Sequence, residues 1–435
     1  KTAYELSTRD WSSDVCSSHL SLHPCRARRA TGDKSMSPAD ATVSWGQAPN
    51  FRRLGVGAEP FAANPPNSMF SPDATDEKRS RDAPLRSVHT PSFPAILAEC
   101  GSSLAVTSYQ TGKLILLREA DGVLNTHFRD LAKPMGLAVD GGRLAIGCRS
   151  FIWEFHDAGT GDRELVTRGE PAAVPLGAQS ELFLPRRFDV TGDVQVHEMA
   201  WVGGELWFVN TAFSCLAVRS DHVSFETRWQ PWFIDRLTPD DCCHLNGMGV
   251  CEGQVRYVTA LAQSNERQGW RRHKRRGGIV IDVARNKIVA DDLSMPHSPR
   301  WHREELWLLE SGTGTIGRVD LATGRYDPVA ELPGFTRGLC FSGDYAFVGV
   351  SQIRDTAVFG ELPLHERLAP HERTCGVWIV HLETGTTAGF VRFSAAVQEI
   401  FAVDILLGRR CPDIVVGDDP RIDSMYVIQQ QTSGA

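Results

Sequence analysis

The sequence predicts an all-β fold, a β-propeller of six four-stranded blades, preceded by a disordered N-terminal arm. Three observations predict it. A short strand, a turn that usually contains glycine, and a second strand recur along the chain. The copies lie 40 to 62 residues apart at the aligned positions Met135, His197, Asn246, His297, Arg337 and Glu399, room for four strands and their loops. Finally, 39 glycines and 24 prolines among 435 residues favour many turns over long helices.

The elements follow in chain order. Residues 1–20, which include Ser7-Thr-Arg-Asp-Trp-Ser-Ser-Asp-Val-Cys-Ser-Ser-His-Leu20, have no apolar period and no signal-peptide core. They read as a translated sequencing adapter, an artefactual segment. Residues 21–92 are rich in Pro, Ser, Arg and Asp. Such a composition buries too little apolar surface to offset chain entropy, so this stretch is the expected disordered arm. The propeller domain is expected over residues 93–430.

Within that domain, full copies of the unit run Met135–Gly147, Glu198–Asn210, Asn246–Val258, Ser298–Glu310 and Arg337–Gly349. A sixth begins at Glu399-Ile-Phe-Ala-Val-Asp404 and supplies only an innermost strand. Strands around Leu104–Ser108, Lys113–Arg118 and Asn125–Asp130 would complete its blade, joining the two chain ends and removing exposed edges. Further strand pairs fill the spaces between copies, as in Ile316–Ala330 with its turn at Thr323-Gly324. Two short segments, Asp413–Val416 and Met425–Ile428, keep seven blades open as the alternative. A β-sandwich competes as a fold class but has no need of the repeat.

Several stretches carry a resemblance. Val194-Gln-Val-His-Glu-Met-Ala-Trp201, Cys243-His-Leu-Asn-Gly247, Leu293-Ser-Met-Pro-His-Ser-Pro-Arg-Trp301, Leu309-Glu-Ser-Gly-Thr-Gly-Thr315, Glu331-Leu-Pro-Gly-Phe-Thr-Arg-Gly338 and Ala396-Val-Gln-Glu-Ile-Phe401 resemble an uncharacterised bacterial family. It is the conserved hypothetical protein 03032 family, domain of unknown function 4915. The resemblance covers residues 93 to 410 and brings no activity with it. Arg271-Arg-His-Lys-Arg-Arg276 departs from the mixed-charge hairpin of such relatives.

In a propeller the starts of innermost strands and the ends of second strands share one face, at the mouth of the central channel. Aligned on Leu144, Leu206, Val255, Leu306 and Tyr345, the copies give two columns there. The first holds Met135, His197, Asn246, His297, Thr336 with Arg337, and Gln398 or Glu399; the second holds Cys148, Asn210, Thr259, Glu310 and Gly349. Polar residues where the repeat would place small apolar ones mark a candidate site. A divalent metal (Zn, Fe or Mn) is one reading, with His197, His297 and Glu310 as ligands and His244 as a further one, able to activate water or dioxygen. A metal-free pocket is the second, with Asn210, Asn246, Arg337 and Glu399 holding a small molecule and Arg337 facing a carboxylate or phosphate. The bland third is hydrogen bonding to strand ends and channel water. A noncatalytic scaffold for a protein partner is the alternative function.

Other motifs fail on context. Gly312-Thr-Gly-Thr-Ile-Gly317 matches a dinucleotide fingerprint, but a strand follows it instead of a helix N-terminus. His365-Glu366 and His371-Glu372 have the wrong spacing for a zinc helix, and Pro370 interrupts it. The adjacent Cys242 and Cys243 make a poor disulfide and only a weak metal candidate, and read as buried or channel-facing thiols. The Asp pairs at 240–241, 291–292 and 418–419 fall at turns. Net charge of -7 argues against nucleic acid, leaving the basic run 271–276 as a solvated hairpin tip. No apolar run reaches bilayer length, so no membrane partner is expected. Eleven cysteines without a CxxC pair read as reduced thiols, and the expectation is a soluble, cytoplasmic bacterial protein. Trp201, Trp207, Trp301 and Trp307, at fixed positions in the units, should pack between blades.

Overall fold

The repeat folds into six sheets around a channel, each innermost strand lying against that of the next blade. The computed structural model describes residues 85–159, 163–168, 181–353, 361–417 and 419–429; the segments read as artefact and arm lie outside these up to residue 84. Blade 1 runs outward from Ala402–Leu406 through Ser103–Ser108 and Lys113–Ala120 to Val123–Asp130. Blade 2 is Leu137–Asp140, Arg143–Gly147, Phe151–Asp157 and Leu182–Val190. Blade 3 is Val196–Val202, Glu205–Asn210, Cys215–Val218 and Glu226–Trp229; blade 4 is Leu245–Cys251, Gln254–Ala260, Gly278–Asp282 and Lys287–Leu293. Blade 5 is Pro296–His302, Glu305–Glu310, Thr315–Asp320 and Arg325–Glu331; blade 6 is Phe335–Ser342, Tyr345–Ser351, Cys375–His381 and Thr387–Ala395.

Tight turns make these hairpins. Gly203-Gly204 and Glu252-Gly253 hold positive φ at both central positions, the twist that matches antiparallel strands. Arg303-Glu304 takes the same pair of conformations (φ 52° and 63°) without a glycine.

Apolar side chains fill the seams between blades. Leu104, Ile115, Phe347, Val377 and Ile400 close the seam of blades 6 and 1; Met199, Phe208, Ala138 and Ile152 close that of blades 2 and 3. The tryptophans at fixed unit positions pack in these seams as expected, Trp201 between blades 2 and 3 and Trp307 between 5 and 6. A blade has two large apolar faces and no solvent-facing layer to spare, so closing the ring buries both.

Both chain ends add to this ring. Blade 1 closes as the sequence suggests, Ser103–Thr107 pairing with Ala402–Leu406. Two expectations need correction. Leu85–His89, placed above in the arm, forms a fifth strand on blade 6, pairing with Val391–Ala395. Its Leu85 and Val88 side chains stay exposed, so backbone pairing rather than apolar pattern makes this strand, and no periodicity announced it. The helix Ser92–Glu99 then lays Phe93 and Leu97 into the 6–1 seam.

The second correction concerns the seventh blade. Asp413–Ile414 pairs in parallel with Leu182–Phe183 on the outer edge of blade 2, and Met425–Gln429 pairs with Arg163–Thr167 in a separate two-stranded sheet. Two short strands have too little apolar face to build a blade. They clasp the outside instead, where the Asp413 carboxylate gathers Arg129 (2.6 Å), Arg421 (2.9 Å) and His127 (3.1 Å). Burial alone would raise the pKa of Asp413, but these partners outweigh it and hold the carboxyl below the usual range. Among the described residues no helix is long and apolar enough to cross a membrane.

Candidate functional site

Four innermost strands begin with the same backbone device. Lys133, Gln195, His244 and Met295 are left-handed (φ 50° to 55°), each two residues before a first-column position, Met135, His197, Asn246 and His297. Blades 3 to 6 then carry a β-bulge, as at Val196/Met199 and His297/Arg300. A bulge re-aims the side chains around it, here into the channel.

The left-handed residue also fixes each imidazole. The Gln195 carbonyl lies 3.0 Å from His197 Nδ1, and the Met295 carbonyl lies 3.0 Å from His297 Nδ1. A hydroxyl makes the second Nδ1 contact, Thr211 at 2.8 Å and Ser311 at 2.9 Å. Each hydroxyl spends its own proton on the next blade, Thr211 donating to Leu245 O and Ser311 to Thr336 O, both at 2.6 Å. The carbonyls can only accept, so Nδ1 carries the proton and Nε2 presents a lone pair in both rings. Burial and the nearby Arg337 charge push both pKa values well below the ordinary imidazole value, so both are neutral at pH 7.

His197, Asn246, His297 and Arg337, from blades 3, 4, 5 and 6, line one cavity of about 20 Å³ together with Glu198 and Arg300. That is room for a water-sized group. Thr259 donates to Asn246 Oδ1 at 2.6 Å, which turns the amide Nδ2 the other way. Asn246 Nδ2 and His297 Nε2 are buried and have no hydrogen-bond partner among the described residues. The Arg337 guanidinium lies 3.5 Å from the centroid of the Phe401 ring. Burial lowers its pKa to about 9 against the opposing pull of Glu198, which leaves it charged at neutral pH.

In the same lining, two charged residues that the sequence reading missed, Arg300 and Glu198, lock the hub, with Asp404 beside them. Arg300 pairs with Glu198 and donates to the carbonyls of Leu339 (3.0 Å), Pro299 (3.0 Å) and Met248 (3.3 Å). Glu198 also accepts from the Met248 backbone N–H at 2.8 Å, so this network ties blades 3, 4, 5 and 6. Burial pushes the Asp404 carboxyl up to about 6 although Arg300 opposes it. The available signal was charge of both signs inside otherwise apolar innermost strands.

The second column does not reach the cavity. Asn210 Oδ1 accepts from the Phe213 backbone N–H at 3.1 Å. Glu310 accepts from the Ser294 N–H (2.8 Å) and the Thr313 hydroxyl (2.9 Å), and burial raises its pKa. Both stabilise tight turns, the local work expected of such groups at strand ends. His244 is held by Asp241 (2.9 Å), which also accepts from Trp270 Nε1 (3.0 Å), and its ring stands edge-on to His197 with centroids 4.8 Å apart. Glu399 lies half-buried outside the cavity lining, where burial pushes its carboxyl up to about 8.

Of the four residues read as metal ligands, His197 and His297 line the cavity and Glu310 and His244 do not. Among the described residues no group of three or more His, Cys, Asp or Glu side chains is placed to hold a metal ion. Arg337 adds a positive charge beside the two lone pairs that a divalent cation would need, and Glu198 is already committed to Arg300.

The basic run has gone to acidic neighbours. Arg272 pairs with Glu266, Arg275 with Glu366 and Arg276 with Asp292. The buried thiols Cys148, Cys215 and Cys243 are pushed up to about 12 by burial, so they are protonated and inert as nucleophiles.

Comparison with solved structures finds weak likeness. The chain is 11% identical to a chain of a nidogen/laminin complex, covering 71% of this chain and 100% of that one, TM-score 0.43. It is 8% identical to a protein of unknown function from Bacteroides caccae, covering 70% and 98%, TM-score 0.42. A virginiamycin B lyase from Staphylococcus aureus is 11% identical, covering 67% and 76%, TM-score 0.35. Likeness at this level carries nothing about activity. No curated protein matches the chain significantly. The family model described as a domain of unknown function (DUF4915) matches residues 91–415, and the chain belongs to that family.

Proposed function

We propose that this propeller binds a small anionic ligand at its central channel, without a metal, with Arg337 as the charge partner and His197, Asn246 and His297 as polar walls. One observation carries the reading: side chains from four separate blades converge on a single cavity beside a buried guanidinium. A carboxylate or phosphate oxygen entering beside that guanidinium would make short charge-assisted hydrogen bonds with it. The cavity volume of about 20 Å³ admits one oxygen-sized group, so a ligand enters by a single oxygen and its remainder stays in the channel. The neutral imidazoles add polarity without a second positive charge.

Thermal unfolding in rising concentrations of formate, acetate and phosphate tests this. A bound anion stabilises by about 2.7 kcal/mol at a hundred times its Kd, and the shift should vanish in Arg337→Met. The variant should fold, because an apolar side chain of similar volume replaces a buried charge well. Absence of stabilisation by every anion would overturn the ligand reading and leave the partner-scaffold alternative.

A further inference from the structure

The polarity of the cavity is set by groups behind its walls. His297 Nε2 can only accept, because the Met295 carbonyl and the committed Ser311 hydroxyl hold the ring proton on Nδ1. Asn246 Nδ2 is an amide nitrogen and can only donate, and the Thr259 hydroxyl donating to Oδ1 fixes which way the amide is turned. Both residues are almost fully buried, 2% and 3% exposed, and both line the cavity. Neither atom has a hydrogen-bond partner among the described residues. A buried acceptor and a buried donor left unmade each carry a desolvation penalty, so the pair selects strongly for a group that satisfies both.

A plain carboxylate satisfies only half of this. It accepts from Asn246 and Arg337 but brings no proton to the imidazole lone pair, which repels its oxygens. An ammonium could donate, yet Arg337 repels it. A hydroxyl donates once and accepts as well, matching the pair, and an adjacent carboxylate would face the guanidinium. Resting on the ligand reading above, we infer that the channel site is selective for hydroxycarboxylates, the hydroxyl oxygen filling the cavity between His297 Nε2 and Asn246 Nδ2 while the carboxylate stays at its mouth toward Arg337.

Matched pairs that differ by one hydroxyl provide the test: glycolate against acetate and lactate against propionate, titrated into the full chain by calorimetry at pH 7.5. The hydroxylated member of each pair should bind about tenfold tighter or more, since a site built for a hydroxyl rejects the analogue that leaves its polar groups unpaired. In His297→Phe that preference should fall to near one, and Asn246→Asp, which exchanges the donor for a charged acceptor, should abolish glycolate binding. Equal affinity within each pair in the wild-type chain would overturn the hydroxyl selectivity and leave anion binding standing. Binding of neither member, with no response to the simpler anions, would overturn both.

Discussion

Replacing His297 by glutamine should make the protein less sensitive to acid, and the size of that change follows from the proton position. The folded imidazole is buried, with its Nδ1 proton held by Met295 and Ser311 and its pKa depressed by burial and by Arg337. An unfolded histidine takes a second proton near pH 6.5. With the folded pKa below the unfolded one, the stability contribution is present above about pH 6.5 and is lost as pH falls. If the folded ring stays neutral to pH 5.5, the unfolded state gains about 1.4 kcal/mol from this one residue between pH 7.5 and 5.5. Glutamine has no such proton to take. Glu399 and Asp404, raised by burial and opposite in sign, are common to both chains and drop out of the difference.

Urea denaturation of both chains at pH 7.5, 6.5 and 5.5 measures this directly. Whatever constant offset the substitution introduces, the wild-type chain should lose about 1.4 kcal/mol relative to the variant across that range. Parallel pH profiles would refute the reasoning. They would mean that the folded imidazole accepts its second proton as readily as the unfolded one, and the assignment of an Nε2 lone pair would fall with it.

Two other outcomes follow from the same geometry. Gly338 has φ +81°, and a Cβ there would stand 2.5 Å from the Val403 backbone nitrogen across the 6–1 seam; Gly338→Ala should cost roughly 2 to 4 kcal/mol by urea midpoint, and a wild-type midpoint would show that the seam yields. Asp413→Asn should lower stability by roughly 1 to 3 kcal/mol at pH 7, because two arginines and a histidine lose their carboxylate. The depressed folded pKa makes that contribution one that starts to fall below the unfolded value and is lost only below the folded one, so the difference between the two chains should narrow steadily as pH falls from about 4 to 2. A difference that persists unchanged there would point to packing rather than charge.

Much of the site was legible because a propeller converts sequence spacing into angular position. His197, Asn246 and His297 occupy one column of the repeat with Arg337 one residue beyond it, and a closed ring of blades must bring one column to one place along the axis. The second column shares that face but not the cavity: Asn210 and Glu310 sit beside tight turns whose N–H groups are nearer than the channel. Spacing says where a Cα lies; it does not say which neighbouring backbone group will claim a carboxylate.

Sequence alone determined the alternating apolar strands, the turns between them, the six-fold repetition and the polar column, since each depends on local pattern repeated at a fixed interval. Tertiary structure alone decided the rest. The left-handed residues before His197 and His297 set the ring tautomers through carbonyls, and hydroxyls that bond to the adjacent blade. The Arg300–Glu198 lock exists only where bulged strands from several blades meet. The edge strand Leu85–His89 and the clasp at Asp413 are built from backbone pairing and charges far apart in the chain. Contacts made across a seam between blades leave no periodicity along the chain, so only closure of the ring reveals them.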